Sequence, residues 1–169
     1  FDGYITDPDT GNKRIPWDLL PSYWTAESDY YDNKKWLETP LMQSGNVEEK
    51  YKAVCGGIDE ITKKHGYVRN GNIYKVESES RETVALFCHF GVECVILSHL
   101  LGISPVVLWH NFCALPSSVT TLVTEEREQG KAAFRMCGFG DISHLYAGDE
   151  EPSFQARFCE TYSNFEERH

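Results

Sequence analysis

Leu86-Phe87-Cys88-His89-Phe90-Gly91-Val92-Glu93 is the stretch on which the fold turns. Just upstream, Thr83-Val84-Ala85-Leu86-Phe87-Cys88 is apolar without alternation, the pattern of a strand buried on both faces of a parallel sheet. Downstream, Val92, Val95, Ile96, His99 and Leu100 recur at helical spacing, and Gly102 and Pro105 close that helix. The reading is a buried strand that delivers His89 to its carboxyl end, then a turn at Gly91 into a helix. In open α/β sheets, ligands bind outside the carboxyl ends of the strands. The new helix offers free N–H groups and the positive end of its dipole, which suit an anion. His89 can donate a hydrogen bond to a phosphate oxygen there. The same residues also suit a hydrogen-bonded core histidine at a strand end.

Outward from this unit, residues 46–65 read as a helix. Asn46 is placed to cap it, Glu48 and Glu49 sit in its first turn, and Val47, Tyr51, Val54, Cys55, Ile58 and Ile61 keep helical spacing. Lys63, Lys64, His65 and Gly66 mark its end. Asn70-Gly71 is a turn, and Ile73–Val76 a short strand. Ser118–Val123 and Lys131–Cys137 form a hairpin joined around Glu125–Gly130. Phe154, Phe158 and Tyr162, spaced by four, suggest a short closing helix. Residues 1–45 are irregular, with turn chemistry at Asp7-Pro8-Asp9-Thr10-Gly11 and an aromatic cluster at Trp17, Tyr23, Trp24, Tyr30, Tyr31 and Trp36. This segment either folds over the core as a cap or walls a cleft. The expectation is one domain, with a cap or insertion over 1–45 and a core over 46–146.

Composition narrows the function. The chain has 169 residues, 41% of them apolar, which suits a single globular domain. A net charge of −10 argues against a nucleic-acid binder, which needs a basic face, and against docking on anionic lipid. The apolar tract from Val84 to Trp109 is broken by His89, Glu93, His99 and Pro105, so it does not read as a membrane span. Asp2, Asp7 and Asp9 stand where a secretion signal has its basic and apolar regions. The six cysteines form no Cys-x-x-Cys pair, and Cys55, Cys88 and Cys94 lie among apolar neighbours as small core hydrophobes do. A reduced, cytoplasmic protein is the expectation.

Competing chemistries fit less well. Cys88 to Cys94 is Cys-x5-Cys, and a cysteine phosphatase needs arginine at the second place to fork the phosphate. Cys88, His89 and Cys94 lack the paired spacings of a zinc site. Gly138-Phe139-Gly140 is a lone Gly-x-Gly without an evident helix after it. His99, on an apolar helix face, reads as core, and Glu125-Glu126 as a solvated turn.

The unit Val84–Leu101 resembles the second histidine motif of the histidine phosphatase (phosphoglycerate mutase-like) superfamily, where members usually read Ser-His-Gly. Here Cys88-His89-Phe90-Gly91 has one residue between His and Gly. Leu115-Pro116-Ser117-Ser118-Val119-Thr120-Thr121-Leu122 is similar to the family's small-residue turn into an edge strand. Phe139-Gly140-Asp141-Ile142-Ser143-His144-Leu145 is similar to its closing Asn-Asp-x-x-His-Leu stretch. The resemblance spans roughly residues 46–146. It implies a three-layer α/β/α sandwich with a mostly parallel sheet and an antiparallel edge strand.

The family's Arg-His-Gly, which carries the nucleophilic histidine on the first strand, is absent from this sequence. Phe1-Asp2-Gly3 resembles the residues just after the family's acidic proton donor. The expectation is therefore a domain that lacks its first strand, supplied by an upstream segment. The implied activity is hydrolysis of a small-molecule phosphate ester through a phosphohistidine on that segment. His89 would stabilise the phosphoryl group, and Asp2 is a candidate acid. Gly91, Trp17, Tyr23 and Trp24 would contact the substrate. No metal or cofactor is implied. A non-catalytic anion-binding module, or a mutase-type phosphotransferase, are the alternatives.

Overall fold

The computed structural model describes residues 1–153, 161–164 and 166. The first elements are short. The strands β1 (Ile5–Thr6) and β2 (Lys13–Arg14) pair antiparallel across a turn held by Asp7, whose Oδ1 accepts the N–H groups of Asp9 and Thr10 at 2.9 Å. One-turn 3-10 helices at Pro16–Asp18, Ser28–Tyr31 and Trp36–Glu38 are interspersed with α1 (Pro21–Trp24) and α2 (Pro40–Gln43). The aromatic residues of this segment do not share one fate: Trp36 and Tyr30 are buried core, while Tyr31 is half exposed.

The helix α3 (Val47–Lys64) matches the spacing of its apolar residues and buries Val47, Cys55, Ile58 and Thr62. Asn46 precedes it as expected, but its side chain does not cap the helix. Its Oδ1 accepts the Tyr4 N–H at 2.9 Å and its own N–H donates to the Tyr4 carbonyl at 3.1 Å. That residue stitches the N-terminal strand to the helix instead. After α3, Gly66 adopts φ +89, and a Cβ there would meet the Ser78 carbonyl, so only glycine fits. The hairpin of β3 (Tyr67–Asn70) and β4 (Ile73–Val76) follows, in the register Asn70↔Ile73 to Tyr67↔Val76.

The helix α4 (Phe90–Leu101) buries Gly91, Cys94, Val95, Leu97 and Ser98 and ends at Gly102, which is left-handed. Pro105 does not merely stop it. It opens a further helix, α5 (Pro105–Asn111), because a proline at a first helical position lacks only an N–H that the helix does not need. The hairpin of β5 (Val119–Glu128) and β6 (Lys131–Asp141) is longer than expected, and α6 (Ser143–Ala147) follows. The expected closing helix at Phe154 and Phe158 lies outside the described residues.

The molecule is mixed α/β, with a four-stranded sheet in the order β3-β4-β6-β5. β4 meets β6 antiparallel through Tyr74↔Ala132 and Lys75↔Lys131. This corrects the expectation of a parallel sheet built on Thr83–Cys88. That run belongs to no strand and no helix, and no hydrogen bond reaches it among the described residues. Phe87 is 98% exposed, with Val84 and Leu86 near half. An apolar run supplies the surface for a sandwiched strand but cannot supply the neighbouring strands that satisfy its backbone. For the same reason Cys88 is exposed, whereas Cys55 and Cys94 are buried.

The chain divides into two compact units. One comprises Phe1–Asn111 with Glu125–Ala133, and holds α3, α4, α5, the β3–β4 hairpin and the N-terminal segment. The other comprises Phe112–Thr124 and the described residues from Phe134 onward, and its ring pair Phe112–Phe139 stands edge to face at 5.3 Å. No helix among the described residues is long and apolar enough to cross a membrane.

Candidate functional site

His89 is the N-cap of α4. Its backbone is extended (φ −87, ψ 157), and its carbonyl accepts the N–H groups of Val92 and Glu93 at 3.0 Å each. Its side chain makes no capping bond and is exposed. The first two N–H groups of the helix, those of Phe90 and Gly91, have no acceptor among the described residues. So the end of the helix carries an exposed imidazole and two N–H groups without an acceptor among the described residues, backed by the dipole of twelve residues.

One flank of this end is aromatic. Gly91 is buried because Trp17 lies on it: a Cβ at Gly91 would stand 3.0–3.1 Å from three carbons of the indole. Trp17 forms a three-ring cluster with Phe1 at 5.9 Å and Trp109 at 6.1 Å, and the Trp109 Nε1–H donates to the Gly91 carbonyl at 3.1 Å. Behind Trp109 stand Trp36 at 5.7 Å and then Tyr51, edge to face with Trp36 at 5.0 Å. The glycine thus permits a tryptophan to close over the first helical turn.

The structure brings Trp17 and Gly91 together beside His89. The other residues singled out in the sequence have partners of their own. Asp2 pairs with Lys50 at 2.9 Å, and that hydrogen bond holds its carboxyl below the usual range. A general acid needs the opposite shift. The Tyr23 hydroxyl donates to Asp9, and Trp24 stands edge-on to His110 at 5.0 Å and next to Tyr31 at 6.1 Å.

Sequence reasoning passed over a polar cluster that joins α3, β3 and α4. The Asp59 Oδ1 of α3 accepts both Arg69 Nε of β3 at 2.7 Å and His99 Nε2 of α4 at 2.8 Å. Arg69 also donates to the His99 carbonyl at 3.0 Å and to the Tyr74 hydroxyl, and stacks over the Tyr74 ring at 4.7 Å. Burial lowers the His99 pKa against the pull of Asp59, and pushes the Tyr74 hydroxyl up to about 12. His99 therefore clips three elements rather than sitting dry in the core. The cluster braces α3, β3 and α4 against one another. The period-3.6 face of α4 was the available signal, but it gave no pairing for His99. Among the described residues no group of three or more His, Cys, Asp or Glu could hold a metal ion.

Comparison with family models, with curated proteins and with solved structures finds no match to this chain.

Proposed function

We propose that this chain carries the phosphoryl-stabilising part of a phosphomonoester hydrolase of the histidine phosphatase type. One observation carries the reading: an exposed histidine caps a twelve-residue helix whose first two N–H groups are unbonded among the described residues. A tetrahedral dianion is the ligand that such an array suits. In the proposed reaction, a histidine on a segment outside this sequence attacks phosphorus. The ester oxygen leaves with a proton from a carboxyl group, and water then releases phosphate from the phosphohistidine. His89 and the Phe90 and Gly91 amides hold the transferring oxygens in place, a fixed electrostatic role. Trp17 supplies an apolar wall for the ester's organic group. Asp2 serves as the proton donor only when Lys50 is displaced from it.

The bare run Thr83–Cys88 is where the outside segment would pair. Strands added there would turn it into a central strand and give the three-layer sandwich with a mostly parallel sheet. The Arg-His-Gly motif is missing from the sequence, and this favours one second reading, an anion-binding module without turnover.

Titration with inorganic phosphate, followed through backbone amide shifts, tests the site. The Phe90 and Gly91 amides move most, and His89→Ala weakens binding about tenfold, the worth of one charge-assisted bond. Unmoved Phe90 and Gly91 amides would overturn the proposal. Turnover of p-nitrophenyl phosphate by protein that also carries an Arg-His-Gly segment separates the two readings. The hydrolase loses orders of magnitude of rate on His89→Ala, while the module shows binding and no rate.

A further inference from the structure

His110 is the last residue but one of α5. Both ring nitrogens, Nδ1 and Nε2, are shielded from solvent, and neither has a hydrogen-bond partner among the described residues. A neutral imidazole carries one donor and one acceptor, and leaving both unmade in a dry site costs stability. The shield is the N-terminal segment. Trp24 stands edge-on to the ring at 5.0 Å and 89°, and the one-turn helices Pro16–Asp18 and Ser28–Tyr31 pack on α5. Trp24 itself is only half-buried, on a four-residue helix flanked by the exposed Leu20 and Thr25.

The neighbours offer the ring little. Asp18, on Pro16–Asp18, favours a charged imidazole through space but is bonded to Arg14 Nε at 3.3 Å. On Ser28–Tyr31, Asp29 faces Lys35 at 3.8 Å, beside Tyr30 and Tyr31. Tyr23 of α1 is bonded to Asp9. On α4, Glu93 and Cys94 lie in its first half, and His99 is bonded to Asp59.

We propose that residues 16–31 are a proton-triggered flap and that His110 is its trigger. A protonated ring holds two donors that no described residue accepts, so the charge is tolerated only when Trp24 swings out and water enters. The same segment carries Trp17, which lies on Gly91, so opening uncovers the first turn of α4. That consequence for anion access rests on the proposed function; the opening itself does not.

Burial lowers the pKa of the closed ring to about 4, against 6.5 for an ordinary histidine. The neutral ring favours the closed form and the protonated ring the open one. The balance therefore moves toward opening as pH falls below 6.5, by about thirtyfold at pH 5 and about 160-fold at pH 4.

Hydrogen exchange on the full chain, corrected for the intrinsic pH dependence of amide exchange, tests the flap. From pH 7.5 to pH 5, exchange over 16–31 rises about thirtyfold while α3 keeps its protection, and tryptophan emission moves to the red. His110→Phe, an uncharged ring of similar shape, abolishes both changes. Should that variant fail to fold, the wild-type imidazole resonance decides: its titration midpoint lies well below 6.5 and the Trp24 indole signal moves with it. Unchanged exchange over 16–31, the same rise in His110→Phe, or an equal loss of protection in α3 would overturn the proposal. An opening flap with no phosphate-induced shift at Phe90 and Gly91 would leave the flap standing and remove the proposed function.

Discussion

The two ends of α4 are held by different means. Toward its C-terminal end, Ser98 shares a hydrogen bond with the Tyr51 hydroxyl at 3.2 Å, and His99 meets Asp59, which also holds Arg69. Helix, hairpin and helix are thereby joined through named polar atoms over an apolar floor. At the N-terminal end the chain enters through Thr83–Cys88, which touches nothing by hydrogen bond among the described residues. The last tether before that run is the bond from His65 Nδ1 to Glu82 at 2.7 Å. Both ends carry apolar residues, Val84, Leu86 and Phe87 before the helix and Leu97, Leu100 and Leu101 toward its close. The difference shows that apolar side chains make a region adhesive, while only paired backbone and polar groups fix where it goes.

The sharpest measure of this contrast is the reactivity of two thiols six residues apart. Cys88 is exposed just before the helix, and Cys94 is fully buried within it. Burial pushes both thiols up, Cys94 far more strongly than Cys88, and the carboxylate of Glu93 adds to each. A buried thiol reacts only through opening of the structure that covers it, which in a folded core costs several kcal/mol. Alkylation by iodoacetamide at pH 8 is expected to be at least about a thousandfold faster at Cys88 than at Cys94. Peptide mass mapping over time reads it. Similar rates at the two sites would mean that the N-terminal half of α4 opens as freely as the run before it.

Next in size is the loss of the brace. Asp59→Ala leaves Arg69 Nε and His99 Nε2 without their acceptor. The Arg69 and Asp59 side chains keep 20% and 31% of their exposure, so water recovers part of the loss. A cost of about 2 kcal/mol in urea unfolding is expected. The exposed pair Glu48–Lys52, one residue above the other on α3, is the control, and Glu48→Ala there costs no more than about 0.5 kcal/mol. Equal costs for the two variants would reduce the Asp59 cluster to a surface ion pair.

Much of α3 and of the β5–β6 hairpin was legible in the sequence, because each is specified by its own residues. The spacing from Val47 to Ile61 defines a helix whatever it packs on, and Gly102 ends α4 by its own backbone freedom. α5 was not legible, since Pro105 is equally a stop for one helix and a start for the next. In the site, His89 at the helix start could be read from local order alone. Trp17 on Gly91 could not, because 74 residues separate them and a glycine gives no sign of what presses on it. The Asp59–Arg69–His99 cluster has the same character: three unremarkable residues become one object only when α3, β3 and α4 meet.

The smallest expected effect is the most telling. Leu86→Pro removes a backbone N–H and fixes φ, which inside a paired strand costs about 3 kcal/mol or more. The Leu86 N–H has no acceptor among the described residues, and the side chain is half exposed. A change of less than about 0.5 kcal/mol in the chain's urea stability is therefore expected. A loss near 3 kcal/mol in the isolated chain would show that Thr83–Cys88 is a paired strand after all, and the contrast between the two ends of α4 would collapse. The same variant in protein that also carries the proposed outside segment is expected to behave in the opposite way. There the run becomes a central strand with both edges occupied, and proline at position 86 breaks the ladder that positions His89. A substitution that is silent in one context and disruptive in the other would locate the missing pairing on this run. Silence in both would leave Thr83–Cys88 an open strap and His89 without the strand that the hydrolase reading requires.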